Sequence, residues 1–156
     1  MADPGAVQVW QSWASNMPPG AIEGLFETTG AEQEQVAKDW TKGWPNTPKD
    51  PDLAFAVAFR TYPYGTDSLS NALLQAKAMD LTDVAKDITM PILILDPEGE
   101  QFWPGESQQL YNMASSANQK LVEFTAAEGA DLHCEPKAIG LRNQVVFDWL
   151  DEILSR

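Results

Sequence analysis

The chain has 156 residues, 44% of them hydrophobic and 21% charged, a composition that fits a globular protein with one core of ordinary size. Ten basic against 23 acidic side chains leave a net charge of −13, which repels nucleic-acid backbones and acidic membrane surfaces alike. No apolar run approaches the roughly 20 residues of a membrane-spanning helix, and the single cysteine, Cys134, rules out an internal disulfide or a multi-cysteine zinc site.

The opening residues, Met1 to Ala6, carry no basic cluster followed by an apolar stretch, so no secretory signal is expected and cytoplasmic residence is the default. Val9, Trp10 and Trp13 share three-to-four-residue spacing, which predicts a short helix over Val7 to Ser15, ended by Met17-Pro18-Pro19-Gly20. After Thr28-Thr29-Gly30, Glu32 and Glu34 suit a first helical turn, and Val36, Ala37 and Trp40 lie on one face. Trp44-Pro45-Asn46-Thr47-Pro48 breaks that helix. Asp50-Pro51 then reads as an N-cap with proline at the first helical position, opening a third helix through Leu53, Val57 and Phe59. Tyr62-Pro63-Tyr64-Gly65 is turn chemistry, and Thr66 or Asp67 is the expected cap of a fourth helix with Leu69, Leu73, Leu74 and Ala76.

The pattern changes at Met90-Pro91. Ile92-Leu93-Ile94-Leu95 is an unbroken apolar run stopped by Asp96-Pro97-Glu98-Gly99, the mark of a strand buried on both faces. A helix over Glu106 to Ser116, a strand over Lys120 to Thr125 and a final helix from about Ile139 to Leu154 follow. Strand, helix, strand is a parallel crossover unit. The fold class is therefore α/β: short parallel strands with flanking helices over residues 80–156, preceded by a helical segment over residues 1–79. A two-stranded parallel sheet is seldom stable alone, so Ile92 to Leu95 should expose an unpaired edge. With six tryptophans in need of apolar cover, self-association is expected.

The one histidine, His133, lies in Glu128-Gly129-Ala130-Asp131-Leu132-His133-Cys134-Glu135-Pro136, after the second strand. Asp96, Glu98 and Glu100 follow the first strand, at the same end of the sheet, where open α/β folds place their reactive side chains. A carboxylate beside a histidine fixes the imidazole tautomer and stabilises the imidazolium while the ring acts as general base. Cys134 adjoins His133 and reads as a packed thiol rather than a nucleophile, because neighbouring side chains point apart. Asp131, His133 and Glu135 alternate, but three mixed ligands without a second histidine make a poor metal site. No metal or organic cofactor is expected.

These separated words, the apolar strand, E-G-E-Q-F-W-P-G, a helix, a strand, G-A-D-L-H-C and L-R-N-Q-V-V-F-D-W-L, resemble the carboxyl-terminal half of an α/β-hydrolase. The likeness is to the branch holding dipeptidyl aminopeptidase or acylaminoacyl peptidase-like hydrolases and the pseudooxynicotine hydrolases, and it spans about Asp80 to Leu154. The resemblance implies that His133 is the triad histidine and Glu100 the acid, with Glu98 and Asp96 as competitors, and that residues 3–79 form a helical cap. The family's nucleophile is a serine in a G-x-S-x-G elbow, and no serine of this sequence has those flanking glycines. The resemblance thus implies a truncated hydrolase of ester, amide or C–C bonds, inactive alone. Its partners would be a small ester, amide or ketone substrate once completed, and a complementary amino-terminal half or a second copy of the chain. The alternative is a non-catalytic interaction or ligand-binding protein with a hydrolase-like fold.

Overall fold

The computed structural model describes residues 1–14, 21–43 and 49–155. They fall into two compact units, one formed by Ser12–Met79 and the other by Met1–Gln11 together with Asp80–Arg156. The proline-rich breaks at Met17 to Gly20 and Trp44 to Pro48 lie outside the described residues. Among the described residues, no helix is long and apolar enough to cross a membrane.

The unit Ser12–Met79 is helical. Helix α1, Gln11–Ala14, leads into it, and α2 (Ala21–Glu27), α3 (Gly30–Gly43), α4 (Pro51–Thr61) and α5 (Leu69–Ala78) make up the remainder. Helix α2 went unread in the sequence because it is a single AIEGLFE word; Ile22 and Leu25, one turn apart, are buried. Helix α4 starts as its sequence dictates: the Asp50 carboxylate accepts from the amides of Asp52 and Leu53, and Pro51 takes the first turn. The chain leaves α4 through a 3-10 turn at Tyr62–Tyr64 and reverses at Gly65, whose φ of +63° suits glycine. The cap of α5 is Ser68 rather than Thr66 or Asp67; its hydroxyl accepts from Asn71 N, while Thr66 Oγ1 accepts from Ser68 N and sets the turn one step earlier. Val57, Leu69, Ala72, Leu73 and Ala76 form the buried faces of α4 and α5.

The other unit is the mixed one. Strand β1 (Ile92–Pro97) pairs in parallel with β2 (Gln119–Phe124), Ile92 opposite Gln119 and Pro97 opposite Phe124, with α6 (Glu106–Met113) as the crossover and α7 (Ile139–Leu154) after the histidine loop. Alternate residues of β1 serve two cores. Ile92 and Ile94 pack with Val7, Ala85 and Leu110 on one face. Leu93 and Leu95 pack with Phe124, Ala130 and Trp149 on the other, where Val145, Val146, Leu150 and Ile153 of α7 close over them. Burial on both faces is why this strand has no polar alternation.

Two sequence expectations are corrected here. Val7 to Trp10 is not helical; the helix begins at Gln11, and the residues before it form a strap with isolated bridges at Ala2 and Gln8. That strap covers the edge of β1 that should have been bare. Ala2 bridges Ile94 in parallel, its amide donating to Leu93 O at 2.9 Å and its carbonyl accepting from Leu95 N at 3.0 Å. Further along, Val7 O accepts from Leu81 N, Gln8 bridges Asp80, Gly5 N donates to Ser107 Oγ, and Glu106 Oε2 accepts from Val7 N and Gln8 N. Gly5 is needed for this closeness, since a Cβ there would stand 2.9 Å from Ile94 Cγ2 and 3.0 Å from Ser107 Cα. The tryptophans are also better covered than their number suggested: Trp13 and Trp149 are buried, Trp10, Trp40 and Trp103 are half-buried, and Trp44 lies outside the described residues. The large apolar side chains left exposed include Phe55, Phe59 and Tyr62.

If β1 is the double-sided core element, truncating it should be severe. Ile94→Ala, which empties the space shared with Val7 and Leu110, is expected to cost about 2–5 kcal/mol in chemical denaturation. A loss below about 1 kcal/mol would show that this face is not close-packed.

Candidate functional site

Two loops meet at the carboxyl ends of the strands. The first begins where β1 ends: Glu98 N donates to Phe124 O at 2.8 Å, and Glu100 N donates to Pro97 O at 3.0 Å, turning the chain sharply. The second leaves β2 through a short turn at Ala126–Glu128, where Thr125 and Glu128 cap each other and Gly129 reverses the chain at φ +70°. Gly99 joins the loops. Its amide donates to Asp131 O at 2.8 Å, and a Cβ at this position would stand 2.8 Å from that same oxygen. Only glycine permits the approach.

That approach brings Glu100 to His133. Glu100 Oε2 lies 2.8 Å from His133 Nδ1, while Oε1 accepts from Phe102 N at 2.7 Å and Trp103 N at 3.2 Å. The Glu100 side chain is 4% exposed and that of His133 26%, so the acid is enclosed and the ring keeps one side open. A carboxylate only accepts, so Nδ1–H is the donor in this contact and Nε2 is the ring nitrogen left outside it. Among the described residues, no side chain other than Glu100 is hydrogen-bonded to His133. Phe102 packs edge-on to the imidazole at 4.7 Å, and Trp103 lies tilted to it at 5.6 Å. Trp103 is fixed in turn by its indole N–H donating to Val9 O at 3.2 Å, so the strap also orients the wall of the site.

The competing acids lie elsewhere. Asp96 sits in β1 directly opposite Glu123 of β2; partial burial pushes its carboxyl above the usual range, the Glu123 charge adds to that, and a hydrogen bond with Ser107 opposes it. Glu98 Oε2 caps the turn after β2 by accepting from Ala126 N at 2.9 Å. Neither touches the imidazole. Two buried serines of this unit are committed to structure: Ser107 Oγ donates to Leu95 O at 2.9 Å and accepts from Gly5 N, and Ser116 Oγ accepts from Asn118 N.

Beyond His133 the backbone is unusual. Cys134 and Glu135 both have positive φ, 58° and 43°, a left-handed pair that costs on the order of 1–3 kcal/mol per residue and persists only where surroundings enforce it. Enforcement comes from Glu135 N to Leu132 O at 2.8 Å, Ala138 N to Glu135 O at 2.9 Å and Arg142 Nη1 to Cys134 O at 3.1 Å. The turn breaks the alternation that would have set Asp131, His133 and Glu135 side by side. Glu135 points into the interior instead, and among the described residues no three His, Cys, Asp or Glu side chains converge as a metal site. Burial pushes the Cys134 thiol up, as do the nearby charges of Asp3, Glu135 and Glu100, and its Sγ faces Asp3 O at 3.7 Å. It is a packed thiol and not an activated nucleophile.

The sequence did not point to the supporting residues Gly99, Phe102, Val9, Asp3 and Arg142. Only Gly99 carried a signal, as a glycine directly before the acid. No family model, curated protein or solved structure matches the chain.

Gly99→Ala should force the loops apart. Overpacking of this kind costs about 1–3 kcal/mol, and the imidazole should also lose its fixed tautomer in nitrogen-15 NMR, where this chain has one histidine to observe. An alanine variant with the wild-type melting point and tautomer would show that the loop approach does not hold the pair.

Proposed function

We propose that this chain supplies the acid and the histidine of a Ser-His-acid relay of the α/β-hydrolase kind, with the serine and the oxyanion donors contributed by polypeptide outside these 156 residues. The observation that carries the reading is the Glu100–His133 contact of 2.8 Å, made by an enclosed carboxylate to the nitrogen that leaves Nε2 facing outward. The parallel strand pair and the order acid then histidine along the chain agree with it.

In this reading a hydroxyl delivered to Nε2 loses its proton to the imidazole as its oxygen attacks an acyl carbonyl. Glu100 stays ionised, stabilises the imidazolium and keeps the ring in register, and His133 then protonates the leaving group. Phe102 and Trp103 hold the ring edge and exclude water from one side. The substrate class is an ester, an amide or an activated ketone cleaved at a C–C bond.

The test is complementation. The chain alone should neither hydrolyse p-nitrophenyl acetate nor be labelled by a fluorophosphonate. With an amino-terminal hydrolase half carrying a G-x-S-x-G elbow, turnover should appear, and His133→Ala or Glu100→Gln should lower it by on the order of 10²- to 10⁴-fold. Labelling of the isolated chain, or turnover indifferent to His133, would overturn the reading.

A further inference from the structure

The pocket behind the left-handed turn holds more carboxyl oxygens than donors. Glu135 is 0% exposed and neither of its oxygens has a hydrogen-bond donor; Asp3 Oδ1 is likewise buried without one. The two carboxyl groups face each other. Arg142 reaches Asp3 Oδ2 only at 3.6 Å and spends its shorter contact on Cys134 O. Two ionised carboxylates cannot share an enclosed space with so little positive charge, whereas one proton between them turns a repulsion into a strong hydrogen bond.

We propose that Glu135 is a positioning residue for His133, entering the fold as the neutral acid and donating its proton to Asp3, so that a carboxyl–carboxylate bridge pins the strained turn and ionisation of Glu135 releases it. The bridge itself stands on this geometry; its bearing on catalysis rests on the proposed relay. The groups facing Glu135 are Asp3 from the strap, Arg142 from α7, Glu100 from the loop after β1 and Cys134 from its own turn. Burial is the main reason that the Glu135 carboxyl is pushed up to about 8, with Asp3 reinforcing it and Arg142 opposing it.

The sign follows from linkage. Below about 4.5 the folded and unfolded chains both hold this proton; between about 4.5 and about 8 only the folded chain does, so stability falls as pH rises through that window and levels off above it. Melting of the full wild-type chain should therefore drop by about 5–10 °C between pH 5 and pH 8. Glu135→Gln, whose amide donates to Asp3 at every pH, should flatten that drop.

The imidazole provides the second readout. Nitrogen-15 shifts, read through carbon-bound protons, should report the Nδ1–H tautomer at pH 7 and a drift toward Nε2–H by pH 9 in the wild type. The drift should be absent in Glu135→Gln and in Asp3→Asn. A wild-type chain with neither the melting loss nor the tautomer drift overturns the proposal, as does a folded variant that keeps both. None of these measurements requires ester cleavage: a bridge that titrates in a chain no complement can activate removes the relay and leaves the bridge standing.

Discussion

The site depends on one enclosed carboxylate with no unfilled role. A charge taken out of water must be met by donors or the fold pays several kcal/mol for it, and Glu100 is met from two directions, by two successive amides of its own loop and by the imidazole of the next. The amides fix where the carboxylate is; the carboxylate fixes where the ring is. The order matters, because a loop organised by its own backbone holds its shape without a ligand. The Gly99 approach to Asp131 completes the arrangement by bringing the two loops to the same depth.

The strap at residues 1–11 does for the sheet what Glu100 does for the loops. A two-stranded parallel sheet has two bare edges and too little cover. Ala2 occupies the edge of β1, Val7 enters the core beneath Ile92 and Ile94, and Glu106 at the start of α6 accepts from the amides of Val7 and Gln8. The same segment carries Val9 to the indole of Trp103 and Asp3 to Glu135. One extended piece of chain therefore reaches both sides of the histidine, tying its geometry to contacts about 100 residues apart in sequence.

What could be read in the sequence was local. The unbroken run Ile92 to Leu95, the Asp50-Pro51 cap and the stripe of α7 each record a requirement met within a few residues, and each forms the element its pattern describes. What could not be read was long-range. Val9, Trp10 and Trp13 have helical spacing, yet the helix starts only at Gln11, because bridging of Ala2 to β1 and of Gln8 to Asp80 outweighs an earlier start that few internal hydrogen bonds would support. The choice among Asp96, Glu98 and Glu100 turned on a strand end and a capped turn, features that spacing does not encode. Glu135 shares the parity of Asp131 and His133 in the sequence, which would set the three on one side of an extended loop; two left-handed residues changed that parity.

The proposed proton on Glu135 belongs to a region crowded with carboxyl groups. Asp3, Glu100 and Glu135 converge on a region where Arg142 is the cation that opposes their charges, and Arg142 reaches Asp3 only loosely. Burial raises the carboxyl of Glu135, which is fully enclosed, whereas the carboxylate of Glu100 is met by two amides and the imidazole. Because Nδ1 is fully engaged, whatever chemistry occurs must occur at Nε2, and the ring has no second partner among the described residues to compete for it. Among the described residues the open side of the imidazole is thus the Nε2 side, and the proposed relay stands or falls on whether a hydroxyl is brought to it.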